Sequence, residues 1–275
     1  TKAIEGYAAQ EQLVGGVETL FKTSSDTVVG YANDAYKTAG MSANEYMETV
    51  TSFSASLLAS MNNDTAAAAE KANVAITDMS DNANKMGTDI SLIQNAYNGF
   101  AKQNYTMLDN LKLGYGGTKE EMQRLLDDAS KLSGIKYDIS SYSDVVDAIH
   151  VVQTEMGITG TTAKEASTTI EGSVSSMSSA WDNWVAGMAD SEANFSQLTS
   201  NLVDSIVTVV GNIAPRVIET VPRLVSGLGE IVEQLATYIP QVIQELLPPL
   251  MIGVQDLLNT LVGMLPEMIS IIGQI

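Results

Sequence analysis

Cysteine is absent from the 275 residues, which removes thiol nucleophiles, thiolate metal sites and disulfide frameworks in one step and leaves the redox compartment open. Histidine occurs once, at position 150. Positive charge is scarce: 14 Lys and Arg stand against 33 Asp and Glu, a formal net charge of -19. A polyanion of that size repels phosphate backbones, so sequence-specific nucleic acid binding is not expected. Aromatic residues make up only 6% beside 45% apolar residues. That balance suits helices packed through Ala, Leu, Ile, Val and Met better than a sandwich of aromatic and β-branched pairs, and the class read from it is all-α.

Proline is missing from the first three quarters. All six prolines, at 215, 222, 240, 248, 249 and 266, fall near the end, whereas every lysine lies before residue 165. Two regions of different physics share the chain: residues 1–200 carry 26 acids and 12 bases, and residues 201–275 carry 7 acids and 2 bases. The reading is of polar helical bundles followed by short, proline-interrupted, apolar amphipathic helices. Four stretches are distinguished: a helical region over 1–115, short capped helices over 116–172, a helical connector with Trp181 and Trp184 over 173–200, and the apolar tract 201–275. The chain opens Thr1-Lys2-Ala3 and stops inside an apolar helical pattern, so the expectation is a piece of a longer protein.

Helix punctuation is legible in the first region. Ser42-Ala43-Asn44-Glu45, Thr118-Lys119-Glu120-Glu121 and Thr162-Ala163-Lys164-Glu165 each stand one or two positions after a glycine and have capping-box spacing, in which a hydroxyl and a carboxylate satisfy each other's backbone amides. Asn63 or Asp64 can cap the run Ala66-Ala67-Ala68-Ala69, and Gly87 can end that helix. The expected helices are 5–22, 25–39, 43–60, 65–86, 89–112, 119–133, 143–156 and 163–199.

Candidate chemistry is thin. Gly114-Tyr115-Gly116-Gly117-Thr118-Lys119 has glycines ahead of a helix start, but it lacks the Walker spacing and a preceding strand, so it reads as stop, turn and start. His150 has no second imidazole, and Asp147 lies three residues away on a neighbouring face, so it reads as structural. Trp181 and Trp184 share a helix face and read as a packing anchor. The neighbours Glu120-Glu121 and Asp127-Asp128 point about 100° apart on a helix and sit among Lys119, Arg124 and Lys131, as a solvated face does. No nucleophile elbow is present. Neither catalytic residues nor a metal or cofactor site are expected.

The last quarter is the informative one. Val217, Val221, Leu224, Leu228, Ile231 and Leu235 alternate steps of four and three, which keeps one stripe facing a partner. Ile243, Leu250, Leu257, Met264 and Ile271 recur every seven residues, and Leu247, Val254, Leu261 and Met268 form a second row four residues on. Self-association through these rows competes with membrane insertion. Within Leu246 to Pro266, Asp256 and the breaks at Pro248, Pro249, Gly253 and Gly263 oppose a constitutive span, and a central Asp costs about 2.5 to 3.5 kcal/mol on insertion scales. Conditional insertion fits better than permanent residence.

Several runs carry a resemblance. Glu11-Gln12-Leu13-Val14-Gly15-Gly16-Val17-Glu18-Thr19-Leu20-Phe21, Ala39 to Met47, Ala101 to Thr118, Gly157 to Ala166 and Trp181-Asp182-Asn183-Trp184-Val185-Ala186-Gly187 are similar to segments of the tail tape measure proteins of phages and prophages of Gram-positive hosts. The resemblance implies a structural protein that fixes tail length as the tube forms, leaves at genome ejection and helps open a channel through the envelope. It also implies a homo-oligomer, a trimer, in the tail lumen or tip after assembly in the host cytoplasm. The implied partners are tail tube and distal tail-tip proteins and, on ejection, the host membrane. It carries over no catalytic residue. The alternatives are a pore-forming helical protein and a non-catalytic part of a cell-wall-degrading tail protein.

Overall fold

The computed structural model describes residues 2–238, 251–256 and 259. Every regular element among them is a helix, and no strand occurs among them. In chain order these are α1 (Lys2–Phe21), α2 (Ser25–Thr38), α3 (Ala43–Ser60), α4 (Thr65–Met86), α5 (Ile90–Phe100), α6 (Lys119–Ser133), α7 (Tyr142–Glu155), α8 (Thr161–Thr168), α9 (Ile170–Gly187) and α10 (Phe195–Tyr238). The chain divides into two units, Thr1–Val209 and Val210–Ile275.

Small side chains organise the first unit. Ala68, Ala69, Ala72 and Ala75 on α4 are fully buried, and their small volume lets α1, α2, α3, α5, α7 and α8 all pack on this one helix. Larger side chains fill the spaces around it. Tyr46, Phe53, Ile76, Met79, Tyr97 and Phe100 are all buried in one contiguous core, each contributing about 1.5 to 3 kcal/mol of transfer free energy.

The caps explain the helix boundaries. Glu45 N donates to Ser42 Oγ at 3.3 Å while Ser42 N donates to Glu45 Oε2 at 2.7 Å, so the box predicted there is complete. Asp64 accepts from Ala67 N at 3.1 Å, and Gly87 closes α4 in the left-handed region. At α6 only half a box forms. Thr118 Oγ1 accepts from Glu121 N, but the Glu121 carboxylate accepts from Gly116 N and from Arg124 instead of returning to the cap amide.

Three expectations are corrected. The helix expected over 89–112 stops at Phe100, where Asn104 N donates back to Gly99 O at 2.9 Å and Gln103 takes a positive φ; only the short 3-10 turn Leu108–Leu111 follows. The helix expected over 163–199 is α8, α9 and the start of α10, because Thr169 is extended and its Oγ1 accepts from Gly172 N at 3.0 Å, capping α9. The third box, Thr162 to Glu165, does not form. Gly160 is the cap residue of α8, and Asp81 of α4 takes the role given to Thr162.

In the second unit, Pro215 and Pro222 lie inside α10, so the helix is continuous where an interruption was expected. Each proline leaves the carbonyl four residues earlier without its usual donor. The prolines at 240, 248, 249 and 266 lie outside the described residues.

Candidate functional site

The candidate assembly residues fall into two groups. On α10, Val217, Leu224 and Leu228 are exposed and Val221 is half-buried, and the four occupy one stripe of the helix. Upstream in the same phase stand Val210, also exposed, and Ala214. The spacing therefore runs three and four from Val210 to Leu228, longer than the row legible at Val217. Ile231 and Leu235 continue it along the helical backbone. Ile218 and Val225 are exposed as well and widen the apolar surface. Val254 is half-buried within a helical turn. Ile243, Leu247, Leu250, Leu257, Leu261, Met264, Met268 and Ile271 lie outside the described residues, as does most of the Leu246 to Pro266 stretch. Among the described residues one segment, Phe195–Glu230, is long and apolar enough to cross a membrane.

The first unit holds a polar strip that sequence reasoning missed. Lys71 of α4 pairs with Asp147 of α7. Further along the same two helices, His150 Nδ1 lies 2.9 and 3.0 Å from the two carboxylate oxygens of Asp78, which is 1% exposed. Next, Asn82 Nδ2 donates to Gln153 Oε1 at 2.7 Å and to Leu111 O at 3.0 Å. The paired residue numbers rise together, so α4 and α7 run in the same sense, and the polar pairs fix their register in a core that would otherwise tolerate sliding. Burial pushes the Asp78 carboxyl up to about 6 even though the His150 hydrogen bond pulls it down. The same bond, chiefly, raises His150 above its ordinary value. His150 thus ties α7 to α4, and its carboxylate comes from α4 and not from its own helix. Lys71, Asp78 and Asn82 stand out as polar positions on an alanine-rich helix, but nothing in their spacing names the partners on α7.

The glycine-rich stretch at 114–118 is a packed turn. A Cβ on Gly117 would stand 2.3 Å from Thr106 O, so the backbones meet where a phosphate would have to sit. Clefts open in this unit. One, of about 870 Å³, is lined by hydroxyl and amide side chains with Glu45, Glu48, Asp89 and Glu171, and by no Lys, Arg or His. Among the described residues no three His, Asp or Glu side chains converge as a metal site would require. Trp184 Nε1 donates to Thr199 Oγ1 at 3.1 Å and its ring packs with Tyr36, Ala180 and Leu202, the anchoring role expected of the pair; Trp181 stays largely open.

No family model, curated protein or solved structure matches the chain.

Proposed function

We propose that this chain is a structural, non-enzymatic protein of a phage-type tail, a tape measure segment that associates with copies of itself through the α10 stripe. The observation that carries the reading is the exposed row Val210, Val217, Leu224 and Leu228 on a helix whose interior also holds two prolines. Water-exposed apolar residues in heptad spacing favour burial against a matching helix, at about 25 cal/mol per Å² removed from water. The sequence resemblance supplies the tail, its tube and tip proteins as partners, and a count of three copies. The acidic surface is compatible with a conduit shared with DNA.

Two experiments test it. Sedimentation of the purified chain should give a trimer, and Leu224→Asp with Leu228→Asp should give monomers; an unchanged profile removes the stripe as an interface. Co-expression with tube subunits should give tubes of one length only when the full-length protein containing this chain is present. Tubes of the same length distribution without it would refute the tape measure role.

A second reading, a helical protein that disturbs membranes after release, is favoured by the length and apolarity of Phe195–Glu230. It calls for leakage from liposomes in the absence of any tail protein.

A further inference from the structure

The two tryptophans, three residues apart on α9, divide their work. Trp184 is anchored by its hydrogen bond and by the small core around Tyr36 and Leu202. Trp181 lies against it, with ring centroids 5.3 Å apart, yet is 52% exposed. A ring of that size held half in water by its neighbour leaves a large apolar surface unused.

Trp181 lines a cleft of about 620 Å³ bounded by α1, α2, α3, α9 and the first turns of α10, all within the first unit. That volume is in the range of small-ligand sites. Its floor is tight: a Cβ on Gly6 would stand 3.3 Å from Ala186 Cβ, so α1 and α9 leave no room beneath it. Its walls carry groups that both donate and accept. The side chains of Gln10, Asn33 and Asp182 line it and have no hydrogen-bond partner among the described residues. Asn44 donates Nδ2 to Gly6 O at 3.0 Å, a bond that fixes its amide at the cleft edge.

The charge of the cleft excludes one class of ligand. Glu5, Asp182, Asp190 and Glu192 face a single Lys2, so phosphorylated and other anionic ligands are repelled. A purely apolar ligand would strip water from the amides and carboxylate and give nothing back. What remains is a molecule with an apolar face and a rim of hydroxyls.

We propose that this cleft binds an uncharged oligosaccharide, with one pyranose ring stacked by its C–H face on Trp181 and its hydroxyls shared among Gln10, Asn33 and Asp182. The site is independent of the α10 stripe, and it stands or falls apart from the assembly reading.

The chain holds only two tryptophans, so Trp184→Phe leaves Trp181 as the sole indole reporter. Titrating that variant of the full chain with the β-1,4-linked trimer of N-acetylglucosamine, and separately with cellotriose, should change its emission saturably for at least one trimer; which one responds separates an acetamido-bearing glycan from a plain glucan. By calorimetry on the otherwise native chain, Trp181→Ala should weaken that binding about tenfold, and Asn33→Ala should weaken it without changing the thermal melt. Absence of a saturable change with both trimers would overturn the proposal. So would equal affinity of the Trp181→Ala chain, or binding of glucose 1-phosphate as tightly as of the trimers.

Discussion

Asp81, wholly buried in the last turns of α4, accepts backbone N–H groups from Gly160 at 2.5 Å and Thr162 at 2.8 Å, and so caps a helix that begins eighty residues later in the chain. A side-chain oxygen at a helix N-terminus satisfies amides that have no partner within the helix. The local hydroxyl is left out of the cap, and Thr162 Oγ1 is buried without a partner.

The first prediction follows from that exchange. Thr162→Val should leave stability unchanged or raise it, because it replaces an unsatisfied buried hydroxyl by a methyl group of similar shape. Ser42→Ala, at the complete box, should cost about 1 kcal/mol, and Asp81→Ala about 1 to 3 kcal/mol by orphaning two amides. Urea unfolding of the three variants checks the order. A Thr162→Val chain as unstable as Ser42→Ala would mean that Thr162 caps α8 after all.

The second prediction concerns pH. Burial raises Asp78 from 3.8 to about 6, and the Asp78 bond raises His150 above 6.5. Both groups therefore bind protons more tightly folded than unfolded. Stability from this pair must fall as pH rises: first between 3.8 and about 6, as the unfolded state alone gives up the Asp78 proton, then through the raised His150 value, as the ion pair is lost. His150→Gln keeps an N–H donor for Asp78 but no titration. The stability advantage of the native chain over it should be larger at about pH 5 than at about pH 8. Chemical unfolding at the two pH values decides it, and an equal difference at both would mean that the imidazole carries no charge there.

These two sites show where the sequence was legible. The box at Ser42 and the cap at Asp64 use partners three residues away, so local spacing gave them and with them the starts of α3 and α4. Asp81 reaches Thr162 across 81 positions, and Asp78 reaches His150 across 72. Such pairs exist only once α4 is packed between its neighbours, and no periodicity announces them. The end of α5 was hidden for a related reason. Nothing in Phe100-Ala101-Lys102-Gln103 forbids a helix, and the chain turns because Asn104 bonds back to Gly99 and the following loop packs beneath it. The α10 stripe was legible because heptad spacing is a local property, although its upstream reach to Val210 shows only once exposure is known.

The third prediction is on α10. A proline in a helix interior costs about 3 kcal/mol through its missing N–H and its clash with the preceding turn. Both Pro215 and Pro222 are exposed, so replacing them leaves no cavity. Pro215→Ala with Pro222→Ala should restore donors to the carbonyls of Gly211 and Ile218 and slow backbone amide exchange over 211–226. Hydrogen exchange read by mass spectrometry checks it. Unchanged exchange would mean that the prolines do not limit the stability of this segment.

The last prediction is at the glycine-rich turn. Gly116 and Gly117 are neighbours, yet they differ in what a side chain would meet. A Cβ at Gly117 would be 2.3 Å from Thr106 O, a backbone atom held by the Asn104 turn, whereas one at Gly116 would make ordinary contact at 3.5 Å with the Glu121 side chain. Gly117→Ala must therefore push two backbone segments apart, an overpacking cost of about 1 to 3 kcal/mol, and Gly116→Ala should be close to neutral. The pair also tests the phosphate-loop alternative. A loop that cradled phosphate would lose ligand protection in both variants, and the native chain would melt higher in the presence of phosphate or ATP. The packed turn requires instead that neither ligand shifts the native melting temperature and that only Gly117→Ala lowers it. A rise with ATP, or equal loss in the two variants, would return the turn to the candidate binding sites.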